Sequence, residues 1–124
     1  MVISNRPVKI QSFKDLEIWQ RAIGLTELIY DVTKSFPKEE IYGLAAQLRR
    51  AAISIPSNIA EGFGRRHNKE YRQFLHVSLG SCAELMTHLV IAEKLKYTDK
   101  NTVEKLTAEA NEISKMTMAL IKKL

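Results

Sequence analysis

A chain of 124 residues is the length of one domain, enough to hide roughly two thirds of its unfolded surface without disulfide or metal staples. The single cysteine, Cys82, has no internal partner, and the opening MVISNRPVKI has no apolar run of signal-peptide length; both point away from a secreted, disulfide-built fold and toward the cytoplasm. A formal charge of +5 invites an acidic partner, while no stretch of uncharged sequence is expected to cross a bilayer, so no membrane partner is expected.

Residues 1–12 read as an extended arm, because Pro7 with alternating Val8 and Ile10 has no helical period. The rest, 13–124, is helical throughout. Ile18, Ala22, Leu25, Ile29, Val32 and Phe36 step by four and three and predict a helix over about 15–35. Pro37 closes it by disfavouring the helical conformation of the residue before it.

The stripe Ile41, Leu44, Leu48, Ala52, Ile55, Ile59 and Phe63 predicts a second helix over 39–64. Its phase is kept across Pro56, which predicts one helix kinked at that proline, with the carbonyl of Ala52 losing its amide partner at a cost of about 3 kcal/mol. Ser54 and Ser57 offer local hydroxyls to offset that loss, and Gly62 and Gly64 suit the helix end.

Asn68 is a reasonable cap for a third helix over 68–96, with Tyr71, Phe74, Leu75, Cys82, Leu85, Leu89 and Ala92 inward. Thr98 or Asp99 then caps a fourth over 100–123, whose stripe runs Val103, Leu106, Ala110, Ile113, Thr117, Leu120, Leu124. Four comparable helices on short turns predict an all-α, antiparallel up-down-up-down four-helix bundle.

One bundle does not consume all this apolar surface. The polar residues of the first helix form a single narrow row, and Leu79, Met86 and Val90 form a second apolar row on the third. Self-association into a homo-oligomer is the expected remedy.

Charge is concentrated rather than spread. Residues 1–47 balance, whereas Arg49, Arg50, Arg65, Arg66, Lys69 and Arg72 face only Glu61 and Glu70 between Leu48 and His76, a net of +4. Arg49, Arg65, Arg66, Lys69 and Arg72 are the candidate contacts to phosphates, with Phe63 and Tyr71 the only aromatics interleaved.

Catalytic and metal chemistry have no visible machinery. A bundle di-iron site needs two Glu-x-x-His pairs and two more glutamates, and the one close pair here is Glu84 with His88 at i, i+4. Cys82 lies on an inward stripe with no His or Lys one turn away to activate it. No phosphate loop, dinucleotide fingerprint or serine elbow occurs, so no cofactor, no metal and no enzymatic role is expected. Arg50, Ser54, Ser57 or Asn58, and Glu61 on the second helix, facing Ser81, Glu84 and His88 on the third, instead suggest a structural hydrogen-bond network with Arg50 and Glu84 as its ion pair.

Three ordered segments carry a family likeness: FKDLEIWQRA from Phe13, LRRAAISIPSNIAEGFGRR from Leu48 and EYRQFLHVSLGSCAEL from Glu70. Together they resemble the four-helix-bundle family encoded by intervening sequences inside bacterial large-subunit ribosomal RNA genes. The shared motif falls on Arg49, Arg50, Ser54, Pro56, Asn58, Ile59, Ala60, Glu61 and Gly62, then on Phe74, Gly80, Ser81 and Glu84. The chain departs from the family after that glutamate, with Met86, Thr87 and His88 where a further acidic residue and a glutamine are common.

The resemblance implies a homopentameric ring, and kinship with the accessory protein of diversity-generating retroelements, a basic pentamer that engages a reverse transcriptase and nucleic acid. Two functions follow as expectations. In one, an oligomeric, non-catalytic bundle binds structured RNA or DNA through phosphates. In the other, the ring is a scaffold that docks an acidic protein such as a polymerase, a reverse transcriptase or a ribosome-associated factor.

Overall fold

A computed structural model describes residues 9–124; most of the expected arm, residues 1–8, lies outside them. Among the described residues there are four helices and no strands: α1 Glu17–Thr33, α2 Leu44–Phe63, α3 Asn68–Lys94 and α4 Lys100–Lys123. They pack as a bundle in which α1 touches α2 and α4, and α3 touches α2 and α4. Along the α2–α3 seam Ser54 meets Ser81, Ile55 meets Ser78 and Gly62 meets Phe74, so partner numbers rise along one helix as they fall along the other.

A single 3₁₀ turn, Phe13–Asp15, leads into α1. It is pinned reciprocally: the Ser12 hydroxyl accepts from the Lys14 amide at 3.1 Å, and the Asp15 carboxylate accepts from the Gln11 and Ser12 amides at 2.9 and 3.1 Å. The inward row of α1 is as its spacing predicts, with Ile18, Ala22, Leu25 and Ile29 buried and Phe36 sealing the end.

The second helix begins at Leu44, five residues later than its stripe suggests. Pro37 leads into a short 3₁₀ turn, Lys38–Glu40, and Gly43 then sits at φ −108°, ψ −116°, outside the helical region. Ile41, expected inward, is therefore 53 % exposed. The helix is capped from a distance: Glu40 Oε1 accepts from the Leu44 amide at 2.9 Å, while its Oε2 accepts from the Tyr97 hydroxyl at 2.9 Å and ties the two loops at this end together.

Helix α2 runs unbroken through Pro56. The carbonyl of Ala52, which loses its amide to that proline, receives the hydroxyl of Thr26 from α1 at 3.2 Å. The same hydroxyl lies 2.8 Å from the Ala22 carbonyl, so its one hydrogen is shared. Relief thus comes from a neighbouring helix and not from Ser54 or Ser57. Ser78 on α3 similarly donates to the Ile55 carbonyl at 2.9 Å and is buried for that reason.

Helix α3 starts at Asn68, so its cap is His67, which makes no side-chain cap bond. Asp99 caps α4, with its carboxylate accepting from the Thr102 amide at 2.7 Å. That bond holds the Asp99 carboxyl below its ordinary range. In length and composition α3 does meet the requirement for crossing a bilayer, contrary to expectation from its sequence. Its inner face nonetheless forms core, through Leu75, Cys82, Leu85, Leu89 and Ala92.

Two of the apolar side chains assigned to an outer row on α3, Leu79 and Met86, are half-buried against the core. The large apolar residues exposed on that helix are Val77, Val90 and Ile91. Beside the α1–α2 seam, Ile23 and Ile53 are also exposed.

Candidate nucleic-acid interface

The turn between α2 and α3, residues 64–67, stands at one end of the bundle and carries the basic cluster. Arg65 reaches back along α2 to Glu61, Nη2 to Oε2 at 3.0 Å, and its guanidinium lies 4.8 Å from the centre of the Phe74 ring. Both partners of that ion pair remain well exposed, so its net contribution to stability is at most about 1 kcal/mol. Arg66 and Lys69 are exposed and enter no ion pair or side-chain hydrogen bond among the described residues.

Arg72 is spent differently. Its Nη1 donates to the Leu124 carbonyl at 2.6 Å, which brings the last turn of α4 against the start of α3. Lys122 and Lys123 join the corner by that contact, a gain that sequence separation hid. This end then holds Lys14, Arg65, Arg66, Lys69, Arg72, Lys122 and Lys123 against Asp15, Glu17, Glu61 and Glu70. The other end is nearly balanced: Lys34, Lys38, Arg49, Lys94, Lys96, Lys100 and Lys105 meet Asp31, Glu39, Glu40, Glu93, Asp99 and Glu104, and Arg49 is bonded into the seam between α1 and α2. The first amides of α3, uncapped by any side chain, add their positive end to the basic corner.

Arg49 lies elsewhere. It is 16 positions before Arg65 on the same helix system, about 24 Å along the axis. Its Nε donates to the buried Thr33 hydroxyl at 2.9 Å, and its guanidinium stacks 4.6 Å from the Tyr30 ring centre. Those contacts hold α2 to α1, and Arg49 does not belong to the corner.

The polar row between α2 and α3 is smaller than its sequence suggests. Ser81 donates to the Ser54 hydroxyl at 2.8 Å, and Asn58 Nδ2 donates to the Ser54 carbonyl and hydroxyl at 2.8 and 3.0 Å. Glu61 turns to Arg65, and Glu84 lies 3.3 Å from His88 Nε2. No ion pair joins Arg50 and Glu84; both are exposed on the rim of a shallow depression that they share with Ala51, Ile53 and Ser54. Carrying both charges on the solvent side of a seam leaves each one hydrated.

A different charge pair holds α1 to α4. Arg21 grips Glu109 with two bonds of 2.9 and 2.8 Å, and that grip holds the Glu109 carboxyl below its ordinary range. Burial pushes the Cys82 thiol up, consistent with a core residue. Among the described residues no three of His, Cys, Asp and Glu gather in one place.

A cleft of about 340 Å³ opens at the basic end, between the leading turn of α1 and the last turns of α2. Phe13, Ser57, Ala60, Glu61, Gly64 and Arg65 line it. Phe13 meets Trp19 edge to face, centres 5.4 Å apart at 63°. Phe63 and Tyr71, the aromatics that the sequence places among the cations, are engaged with one another at 6.2 Å and 89°.

Fold and corner together define a small helical bundle with one strongly positive end and one nearly balanced end. The family model described as 23S rRNA-intervening sequence protein matches residues 14–119, and the chain belongs to that family. It is also similar to the crystal structure of a protein of unknown function from the S23 ribosomal protein family of Bacteroides thetaiotaomicron VPI-5482, with a TM-score of 0.78 at 19 % identity over 85 % of this chain and 98 % of that one. At that identity the likeness speaks for the fold alone. A comparison with curated proteins gives no match.

Proposed function

We propose that this protein is a non-catalytic, cytoplasmic, self-associating bundle that binds structured RNA or DNA through phosphate contacts at its basic end. The observation that carries the reading is the polarisation of charge, with Arg66, Lys69, Lys122 and Lys123 exposed at the end where Arg65 and Arg72 also stand. Phosphates are the densest anions such a surface meets, and contacts of this kind act by displacing counterions. Arg49 is left out of the contact set.

Self-association is supported by apolar side chains exposed on different sides: Val77 and Ile91 on one flank of α3, Val90 on its other flank, and Ile23 and Ile53 near α1–α2. Unlike faces favour a head-to-tail contact, which closes into a ring when the rotation permits. Five subunits is the number that the family resemblance implies. Repetition around such a ring multiplies individually weak phosphate contacts.

Two measurements test the reading. Light scattering should give a mass several times that of one chain at micromolar concentration. Affinity for a structured RNA should fall linearly in log salt, and Arg66→Glu with Lys69→Glu should flatten that slope by about 2. Binding that is absent even at low salt sinks the nucleic-acid reading. Capture of an acidic protein with no affinity for RNA or DNA would favour the scaffold role, with a polymerase, a reverse transcriptase or a ribosome-associated factor as the class of partner.

A further inference from the structure

We infer that the cleft beside Phe13 is a slot for one unpaired nucleobase, so that the basic end takes single strands and loops in preference to duplexes; this rests on the phosphate-binding reading above. The cleft is an open depression of about 340 Å³, so a guest lies against its wall with one side in water, as a single splayed base does on an aromatic side chain. Phe13 supplies an aromatic wall. Its turn is fixed by the reciprocal Ser12 and Asp15 bonds, and Trp19 braces the ring at its edge. A wall held in place before binding costs little ordering when a ligand arrives.

The rim decides the class of ligand. Glu61 and Arg65 line the slot and already neutralise one another at 3.0 Å, so it favours a neutral guest over a charged one. The carboxylate retains lone pairs, the guanidinium retains N–H groups and the exposed Ser57 hydroxyl can serve either way, which matches the mixed donor and acceptor edge of a base. Arg66 follows directly in the chain and Lys69 lies in the first turn of α3; both are exposed at this end and open to the attached phosphates. Duplexes bury base faces in their own stack, whereas a loop or single strand offers one to an aromatic wall.

The test compares three labelled probes with equal phosphate counts: a single-stranded RNA, the same backbone with abasic sites, and a duplex. The base-bearing strand should bind roughly 5- to 150-fold more tightly than the abasic one. Phe13→Ala should erase that ratio and leave duplex affinity and the salt slope unchanged. Since Phe13 also braces Trp19, Gly64→Leu provides a second arm: Gly64 sits at φ −77°, ψ −5°, which any residue adopts, a Cβ there meets only the Glu61 and Ala60 carbonyls at 3.6 and 3.9 Å, and a side chain then fills the slot while Phe13 itself is kept. Equal affinity for base-bearing and abasic strands, or a ratio that survives both substitutions, overturns the slot while phosphate binding stands. Failure of all three probes to bind at low salt removes both.

Discussion

Replacing Gly62 with alanine probes a close approach of α2 to α3. A Cβ built there would lie 2.8 Å from Phe74 Cβ, 3.0 Å from Tyr71 Cδ1 and 3.2 Å from the Tyr71 carbonyl oxygen. The nearest of these is fixed directly to the α3 backbone, so no rotamer change relieves it, and α3 itself must move away from α2. Forcing an extra carbon into a packed interior costs about 1–3 kcal/mol, against which alanine returns up to about 1 kcal/mol of helix propensity. The expected net loss is about 1–2 kcal/mol, which for a chain of this size lowers Tm by roughly 4–8 °C.

Gly24 and Gly80 are the controls. Both lie inside helices, and a Cβ at either meets nothing within 4 Å. Each alanine there should raise Tm by about 2–4 °C through propensity alone. Thermal unfolding followed by far-UV circular dichroism, at one fixed protein concentration, measures all three. If Gly62→Ala rises along with the others, the close-packed seam between α2 and α3 is not the constraint inferred from it.

Thr26→Val removes the donor to the Ala52 carbonyl while keeping side-chain shape, and should cost about 1–2 kcal/mol, with Thr26→Ser retaining most of the stability in the same melts. Glu109→Gln should cost about 0.5–1.5 kcal/mol at neutral pH by breaking the bidentate, charge-assisted pair of hydrogen bonds from Arg21. Because the folded Glu109 carboxyl lies below its unfolded value of about 4.3, that contribution is complete above this pH and is lost as pH falls through the folded value; the Tm gap between wild type and variant should close in acid. Glu61→Gln frees Arg65 at the basic end, so the salt dependence of RNA binding should steepen by about 1, and an unchanged slope would mean that Arg65 does not face phosphates.

What periodicity could see, it saw well. Ile18, Ala22, Leu25 and Ile29 on α1, and Val103, Leu106, Ala110, Ile113 and Thr117 on α4, are all buried where three-four spacing puts them. Near the end of α4 the row drifts, and Ile121 is buried where Leu120 was expected, because a straight helix does not hold a strict seven-residue repeat. The start of α2 was illegible for another reason. Its cap is a carboxylate four residues upstream, acting across a glycine whose backbone is not helical, and no cap pattern at the boundary announces that.

The candidate site divides along the same line. Arg65, Arg66 and Lys69 are neighbours in sequence and remain so in space. Arg49 looked equivalent by charge, yet its surroundings are made by Thr33 and Tyr30 of another helix. Lys122 and Lys123 enter the corner only through the contact of Arg72 with Leu124, 52 positions away. Phe13 reaches the end of α2 because a short turn folds back on it, a placement that no local pattern encodes.

Pro56 leaves α2 holding an oxygen that its own chain segment cannot satisfy, and Thr26 is the group that reaches it. Slipping α1 by one turn would carry that hydroxyl about 5.4 Å away and strand the acceptor. Repacked leucine, isoleucine and alanine can recover part of what such a slip loses, but a stranded acceptor has nothing to recover it with. The proline therefore works as an index mark: it disqualifies neighbouring alignments of the first two helices, and it makes completion of the second conditional on arrival of the first.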